Sequence, residues 1–275
     1  MQKGCLRMKY GKDYNTYLKN WFLGIRDEIE FWDKLFATDG ECGGNKHIFH
    51  YRMDDMCPFQ LANDLENRNS KILDVGSGPY SNLGFQLDHK KLDITLLDPL
   101  ASIYRKLGEV YDHKFPIIPQ TGMVECLNLL YPQNSFDIVH MSNSLDHCFD
   151  PIEGIRQLLY VTKIGGKVIL RHTNNEGENE NYKGFHQWNL TVENQRFYIW
   201  EKNGHSIYID QVFKDVATIE SAEPTEEKIF DDVWHYNKVI IRKKADIQIG
   251  MEIAGKILVQ LIEEIASYSL RYREA

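Results

Sequence analysis

The sequence predicts an α/β fold built on a doubly wound, mostly parallel sheet, with N-terminal helices before it and a long helix after it. From residue 71 onward, short apolar runs alternate with segments of helical length. That alternation is typical of parallel strands joined by right-handed crossovers. Hydrophobic residues make up 43% of the 275 residues and aromatic residues 12%, which is enough to bury the core of one large domain.

Residues 1–68 are expected to form a helical cap on this sheet. Apolar side chains recur at helical spacing between residues 13 and 37, which predicts one or two helices. Glycines at 40, 43 and 44 end that pattern. A second, shorter helix is expected over 58–68.

The sheet itself is expected to span residues 69–245. Four strands are predicted from short apolar runs, over 71–76, 93–98, 136–142 and 166–172. Residues 151–163 have the length and spacing of a crossover helix.

After the strand predicted over 166–172, the pattern of apolar residues becomes less regular. The polar, Asn-rich segment 174–194 is expected to be a long loop. Asn203-Gly204 lies between two β-rich runs and predicts a hairpin near 196–210. Two closing strands are expected over 217–223 and 238–244.

The last segment, 246–275, is expected to be a long amphipathic helix. One face repeats apolar residues every three to four positions: Ile249, Ile253, Ile257, Leu261, Ile265 and Tyr268. This face would either dock on the chain's own domain or form a homodimer.

Charge and cysteine content exclude several classes of partner. The formal charge is −8 with no block of basic residues, which argues against nucleic acid and against an anionic membrane surface. Five scattered cysteines form no C-x-x-C pair, so neither a zinc site nor a disulfide framework is indicated. We therefore expect reduced thiols and a cytoplasmic location, without a membrane span.

The segment ILDVGSGPYS (72–81) is the motif that carries most chemistry. A buried strand is predicted to end near Asp74, and a Gly-x-Gly turn follows at Gly76 and Gly78. Glycines let a ligand lie directly against the backbone. Ser81 stands where a dinucleotide fingerprint has its third glycine, so the turn suits a nucleoside ligand that lacks a pyrophosphate.

Asp98 ends the next predicted strand, twenty residues beyond Gly78. A carboxylate at this place can accept hydrogen bonds from both hydroxyls of a ribose. The alternative is a solvated Asp that starts an ordinary Asp-Pro turn.

With these residues in order, the segment 71–170 resembles the core of the class I S-adenosylmethionine-dependent methyltransferases. The resemblance includes the glycine turn, the acidic end of the second strand, NSFDIVHMSNSLDH (134–147) and Lys163-x-Gly165-Gly166 before the fifth strand. It implies a Rossmann-like methyltransferase fold, S-adenosylmethionine as methyl donor and S-adenosylhomocysteine as product.

The resemblance also implies a role for individual residues. The methionine and sulfonium side of the cofactor would lie against Asp74, Gly76, Ser77, Gly78, Ser142 and Asn143. The ribose and adenine would lie against Asp98, Pro99, Met123, Val124 and Glu125. Met123 stands where family members often have an Asp for the adenine amino group, and Glu125 is the candidate substitute. Arg52 could pair with the cofactor's carboxylate, or be an ordinary surface residue.

Three histidines are candidates for a general base. An alcohol acceptor must lose its proton during methyl transfer, and His suits that work near neutral pH. His147 follows the fourth strand and His172 ends the fifth, both at the edge where such sheets bind ligands; His186 lies in the following loop. His172 ranks first because a strand end holds it rigidly. Each His taken singly has a structural role as its alternative.

The segment GFHQWNL (184–190) resembles methyltransferases of sugar and surface-polysaccharide biosynthesis. Trp188 and Gln187 are the predicted substrate contacts, because Trp stacks on sugar faces and amides read hydroxyls. No metal site is predicted. The preferred function is O-methylation of a small polar metabolite such as a sugar or glycan precursor. N-methylation of a small amine and a non-catalytic S-adenosylmethionine-binding subunit are the alternatives.

Overall fold

The computed structural model describes residues 14–41, 47–49, 69–87, 90–202, 204–229, 232–249 and 254–271. The short helix predicted over 58–68 and the candidate Arg52 lie outside these residues. Within the described part, no helix is both long enough and apolar enough to cross a membrane. Cys126 and Cys148 are buried free thiols, and the cytoplasmic location stays a prediction.

The described part of the chain contains twelve strands. In chain order they are β1 (Lys71–Val75), β2 (Gln86–Leu87), β3 (Lys90–Lys91), β4 (Asp93–Asp98), β5 (Gln120–Thr121), β6 (Phe136–Ser142), β7 (Thr162–His172), β8 (Asn189–Glu193), β9 (Arg196–Trp200), β10 (Ile207–Tyr208), β11 (Ala217–Ile229) and β12 (Asp232–Lys243).

The described helices flank these strands. They are α1 (Tyr14–Ala37), α2 (Ala101–Tyr111), α3 (Leu127–Leu130), α4 (Pro151–Val161), α5 (Glu176–Asn179), α6 (Ile209–Val212) and α7 (Ala254–Arg271), with a 3₁₀ turn at Val124–Cys126.

Seven strands form the central sheet, in the order β11-β12-β7-β6-β1-β4-β5. β1 pairs in parallel with β4 and β6, and β6 with β7, whereas β12 runs antiparallel to β7 and to β11. The predicted fold class, a doubly wound and mostly parallel sheet, is thereby confirmed. The carboxyl ends of β1, β4 and β6 lie side by side, which is where such sheets bind ligands.

Both faces of the sheet are covered, as a parallel sheet requires. Ile72 and Leu73 are neighbours on β1, yet they pack into two different apolar clusters, because successive side chains of a strand point to opposite faces. At the start of α4, the Asp150 carboxylate accepts from the backbone N–H of Glu153 at 3.0 Å, and Pro151 occupies the first turn. This cap fixes where the chain turns from the β6 edge into the helix.

The segment predicted as a long loop is more ordered than its composition indicates. It contains α5 and β8, and β8 pairs with β9 in a small antiparallel sheet that β10 completes. The buried side chain of Asn189 explains the order: its Oδ1 accepts from the N–H of Glu178 at 2.9 Å, and its Nδ2 donates to the Tyr182 hydroxyl at 3.0 Å. Hydrogen bonds thus replace the apolar periodicity on which the sequence prediction depended.

The C-terminal helix docks on its own domain. Ile257, Leu261 and Ile265 are buried in the main apolar cluster of the same chain. The described helix begins at Ala254 and residues 246–249 are not helical, so the predicted start at 246 is wrong; Ile253 lies outside the described residues. The face offered for homodimerisation is therefore already used within the chain. The apolar face of this helix therefore no longer supports the predicted homodimer.

Candidate functional site

A cleft lies at the carboxyl edge of the sheet, between the ends of β1, β4 and β6 and the helix α1. It contains about 640 Å³ of space between atoms, part of it open to solvent. Its walls include Val75, Gly76, Gly78, Asp98, Pro99, Leu100, Tyr104, Gly122, Met123, Val124, Glu125, Met141, Asn143, Ser144, His147 and Cys148 from the sheet side, and Trp21, Glu28, Trp32 and Phe185 from the opposite side.

The glycine turn forms the floor of the cleft. Gly76 and Gly78 both have φ of 64°, in the left-handed region that favours glycine. A Cβ built on Gly76 would collide with the Ser144 side chain. The backbone N–H of Gly76 donates to the carbonyl of Leu97 at 2.8 Å, which ties the turn to β4. The turn therefore presents bare backbone to a ligand, as its sequence predicts.

Asp98 lies at the end of β4, on the wall of the cleft. Its carboxylate accepts from the backbone N–H groups of Gly78 at 2.9 Å and Leu100 at 2.8 Å. Burial raises the pKa of Asp98 to about 6, and the hydrogen bonds from Leu100 and Gly78 act against that rise. The carboxylate is thus fixed in position and remains ionised at neutral pH, which suits it to accept hydrogen bonds from a diol.

Three predicted cofactor residues lie apart from the described cleft walls. The buried Asp74 carboxylate meets His140 Nδ1 at 2.7 Å and accepts from the Ser81 hydroxyl at 2.6 Å. Ser77 donates its hydroxyl to the carbonyl of Gly78, and Ser142 accepts from Arg171. These side chains hold the turn and the strand ends in place, and their direct contacts with the cofactor stay a prediction.

The predicted adenine residues all line the cleft. They are Pro99, Met123, Val124 and Glu125. Glu125 Oε1 accepts from the N–H of Phe149 at 3.1 Å. Burial raises the pKa of Glu125 to about 8, so this side chain is largely protonated at neutral pH and offers an O–H donor as well as acceptor oxygens.

Helix α1 forms the wall opposite the sheet, and the sequence prediction missed its role. Trp21, Glu28 and Trp32 all line the cleft, and Glu28 Oε1 accepts from Trp32 Nε1 at 2.9 Å. The signal was a carboxylate at Glu28, seven residues after Trp21 and four before Trp32, on an otherwise apolar helix face. A helix wall of this kind limits what can enter from outside.

Two predicted histidines meet at one buried carboxylate. Asp146 Oδ2 lies 2.8 Å from His186 Nδ1 and 3.5 Å from His147 Nε2. The two imidazole rings are 4.5 Å apart, and His147 lines the cleft. Burial lowers the pKa of His186, but its hydrogen bond to Asp146 and that carboxylate's charge outweigh burial and raise it overall. We call Asp146, His147 and His186 the histidine cluster.

His172, which ranked first among the predicted bases, is unsuited to that role. Its side chain is 3% exposed, and burial lowers its pKa to about 3. Neither ring nitrogen has a hydrogen-bond partner in the described part of the chain. A base must reach the acceptor and hold a proton near neutral pH, and the buried position of His172 prevents both.

The predicted substrate contacts serve the protein's own structure. Trp188 is 2% exposed and donates its indole N–H to the carbonyl of Cys148 at 2.8 Å. The Gln187 amide donates to the carbonyls of Tyr182 and Gly184, both at 2.9 Å. Neither residue is among the described walls of the cleft. The prediction that they read a sugar is therefore wrong for the described conformation.

A comparison with protein families decides the class. The family model described as "Methyltransferase domain" matches residues 46–208, more than half of the chain. The chain belongs to this family. The methyltransferase family predicted from the sequence is confirmed.

The curated relatives are distant and cover part of the chain. A tRNA U34 carboxymethyltransferase of Helicobacter acinonychis is 29% identical over 121 residues, which cover 42% of this chain and 46% of that protein. An uncharacterized methyltransferase of Schizosaccharomyces pombe is 25% identical over 147 residues, covering 50% of this chain and 52% of that protein. The chain thus spans about half the length of the curated relatives it matches.

One solved structure with a named substrate is also similar. The 1,6-didemethyltoxoflavin-N1-methyltransferase of Burkholderia thailandensis is 11% identical to this chain, with a TM-score of 0.44. The match covers 80% of this chain and 90% of that protein's chain.

The described residues fit the cofactor of this methyltransferase. The glycine turn presents backbone to the cleft, and Asn143 and His147, which follow β6, line the same cleft. The Asp98 carboxylate is held by two backbone N–H groups, so its remaining acceptor capacity is oriented. Asp98 would hold the ribose, Met123 and Val124 the adenine, and the glycine turn the methionine side.

We expect Asp98→Ala to weaken S-adenosylhomocysteine binding by about 2–3 kcal/mol, the value of hydrogen bonds to a charged group, or roughly 30- to 150-fold in Kd. Because the carboxylate is the stronger acceptor and its pKa is about 6, wild-type affinity should fall as pH drops through 6. Calorimetric titration at several pH values measures both effects. Asp93→Ala, exposed at the start of the same strand, is the control. Wild-type affinity and pH dependence in Asp98→Ala would remove Asp98 from the site.

Proposed function

We propose that the protein transfers the methyl group of S-adenosylmethionine to a hydroxyl of a small polar molecule, and that the histidine cluster activates this hydroxyl. The observation that carries the proposal is the place of His147. It lines the same cleft as Asp98, but it follows β6, whereas Asp98 ends β4, and β1 lies between these two strands. Asp98 and the histidine cluster therefore lie on opposite sides of the glycine turn.

The distance between the end of β4 and the end of β6 suits the length of the cofactor. Neighbouring strands are about 4.8 Å apart, so β4 and β6 place their ends roughly 10 Å from each other. A ribose held by Asp98 leaves the methionine side of the cofactor over β1 and near the end of β6. When bound, the cofactor supplies an electrophilic methyl group on a sulfonium. The residues of this chain supply alignment, which is the main requirement for an in-line displacement.

The acceptor end of the cleft is narrow. The Trp21 indole donates to the carbonyl of His147 at 2.8 Å, and its ring stacks on Phe185 with centroids 5.1 Å apart. Gly24 allows this close packing, because a Cβ there would lie 2.5 Å from the Phe185 ring. With α1 tied to the loops after β6 and β7, the acceptor must be small.

The sugar precursor favoured by the sequence is no longer supported by Trp188 and Gln187. We therefore propose the acceptor as a small hydroxyl compound, with sugars and phenols as the two classes to compare. An amine acceptor would need no activating cluster if it arrives unprotonated, and the buried Asp146 between two imidazoles favours the hydroxyl. A non-catalytic binding subunit is disfavoured by the same cluster.

A tRNA acceptor is the second candidate, because a curated relative is named for that activity. The negative charge of −8 opposes binding to phosphate backbones, and the aromatic wall of α1 narrows the cleft. The described cleft walls also carry no Lys or Arg, the residues that would recognise an additional carboxylate on a carboxymethyl donor.

The experiment is a product assay with S-adenosylmethionine labelled in its methyl group. Sugar nucleotides, simple phenols, small amines and bulk tRNA are offered separately, and each product is identified by mass spectrometry. We expect label in a hydroxyl compound, as a methyl ether. Label only in amines or in tRNA would contradict the proposal. S-adenosylhomocysteine that binds while label enters none of the four classes would also count against it.

A further inference from the structure

We infer that the histidine cluster binds one divalent first-row transition-metal ion, with Asp146, His147 and His186 as its ligands and an open position toward the cleft. The inference rests on the proposed function, which places the methyl acceptor at the His147 side of the cleft. It deepens that function by naming the group that holds the acceptor's oxygen. The binding of an ion can nevertheless be measured without any acceptor.

The donor atoms are spaced as ligands of one ion. One carboxylate oxygen of Asp146 and one ring nitrogen from each histidine all lie within 4.8 Å of one another. The two Asp146 distances are 2.8 Å to His186 and 3.5 Å to His147. A tetrahedral ion with ligands at about 2.1 Å would have them roughly 3.4 Å apart, so small movements would complete the site.

The set of donors matches catalytic metal sites in kind. Two imidazoles and one carboxylate suit zinc, iron, cobalt or manganese, and three protein ligands leave a further position for water or substrate. His147 is on the cleft wall, so the open position faces the space assigned to the acceptor. A bound ion would hold an acceptor oxygen there.

The surroundings carry negative charge that an ion would balance. Asp146 is 2% exposed. Its carboxylate is thus removed from water, and buried charges in proteins are paired or coordinate metals.

His172 provides an independent observation. It is buried, and its two ring nitrogens have no hydrogen-bond partner among the described residues, although a buried polar group without a partner costs about 1–3 kcal/mol. It ends β7, which pairs with β6, and Asp146 and His147 follow β6. A water on the proposed ion would give this imidazole a partner, as outer groups do around metal sites.

The test uses the full chain, dialysed against a chelator and titrated with Co²⁺ as the probe. Visible absorption of Co²⁺ reports inner-sphere nitrogen and oxygen ligands. We expect one Co²⁺ per chain, displaced by Zn²⁺, and we expect His186→Ala to weaken Co²⁺ by roughly a hundredfold or more, beyond the loss seen when only outer groups are changed. His147→Ala should do the same.

The matched control is His235→Ala. His235 also stands beside a carboxylate, Glu226 at 3.4 Å, but on the surface, where its side chain is 72% exposed. This variant should bind Co²⁺ as the wild type does. The inference would be overturned if the wild type showed no Co²⁺ absorption, or if the variants of the histidine cluster kept it. The cluster would then be only a carboxylate hydrogen-bonded to imidazoles. S-adenosylhomocysteine binding is measured on every variant, and a variant that binds it is folded. A wild-type protein that does not bind S-adenosylhomocysteine would instead contradict the proposed function.

Discussion

His147→Ala is expected to lower kcat by about a hundredfold to ten-thousandfold, the range for losing a group that assists proton removal. His147 is the cluster residue that lines the cleft, so its loss removes the group nearest the acceptor. S-adenosylhomocysteine affinity should stay close to that of the wild type, because the adenosine lies on the Asp98 side. Steady-state kinetics with the best acceptor and calorimetric titration of the product measure the two quantities.

Two variants limit the interpretation of that result. His205→Ala changes an exposed histidine outside the cleft and should keep full activity. His172→Ala should affect folding stability more than proton transfer, since its low pKa leaves it neutral. A His147→Ala enzyme with near wild-type kcat would remove the histidine cluster from the reaction.

Asp74→Ala is expected to lower the free energy of unfolding by about 1–3 kcal/mol, because it leaves buried hydrogen-bonding groups of His140 and Ser81 without their partner. Asp74 and His140 are 2% and 3% exposed, and their side chains meet at 2.7 Å. Ser81 would lose its acceptor as well, and Ser81 Oγ accepts from the N–H of Leu83, so the turn after β1 would loosen. Urea unfolding followed by fluorescence measures the change.

The matched surface pair is Arg26 and Glu30, whose side chains are 66% and 56% exposed. Glu30→Ala should cost about 0–1 kcal/mol. Combining Asp74→Ala with His140→Ala should cost less than the sum of the two single changes, because the pair is already broken. Additive losses would show that Asp74 and His140 contribute independently.

The parts of the site that the sequence predicted are those set by local chain geometry. Gly76, Gly78 and Asp98 are a turn and a strand end, and their residue types determine what the backbone and carboxylate can do there. The sequence prediction did not include the contacts of Asp74 with His140 and Ser81. Val75 lines the cleft, so its neighbour Asp74 faces the other way.

The remaining errors come from tertiary packing. Whether His172 is accessible depends on β12, which pairs with β7 and places Asn237 opposite His172 in the strand register. No local sequence pattern indicates that strand pairing. Trp188 became a core residue because the loop around it folds back through hydrogen bonds of Asn189 and Gln187. The role of α1 depends on how a helix docks across the sheet edge. Glu28 on its apolar face was the one local signal of that contact.

A crystal structure of the protein with S-adenosylhomocysteine tests the central claim most directly. We predict that the ligand lies between the glycine turn and α1, with both ribose hydroxyls on the Asp98 carboxylate, the adenine against Met123 and Val124, and the sulfur on the β6 side facing His147. A ligand bound outside this cleft, or bound in it with its ribose away from Asp98 and its sulfur away from His147, would contradict the account.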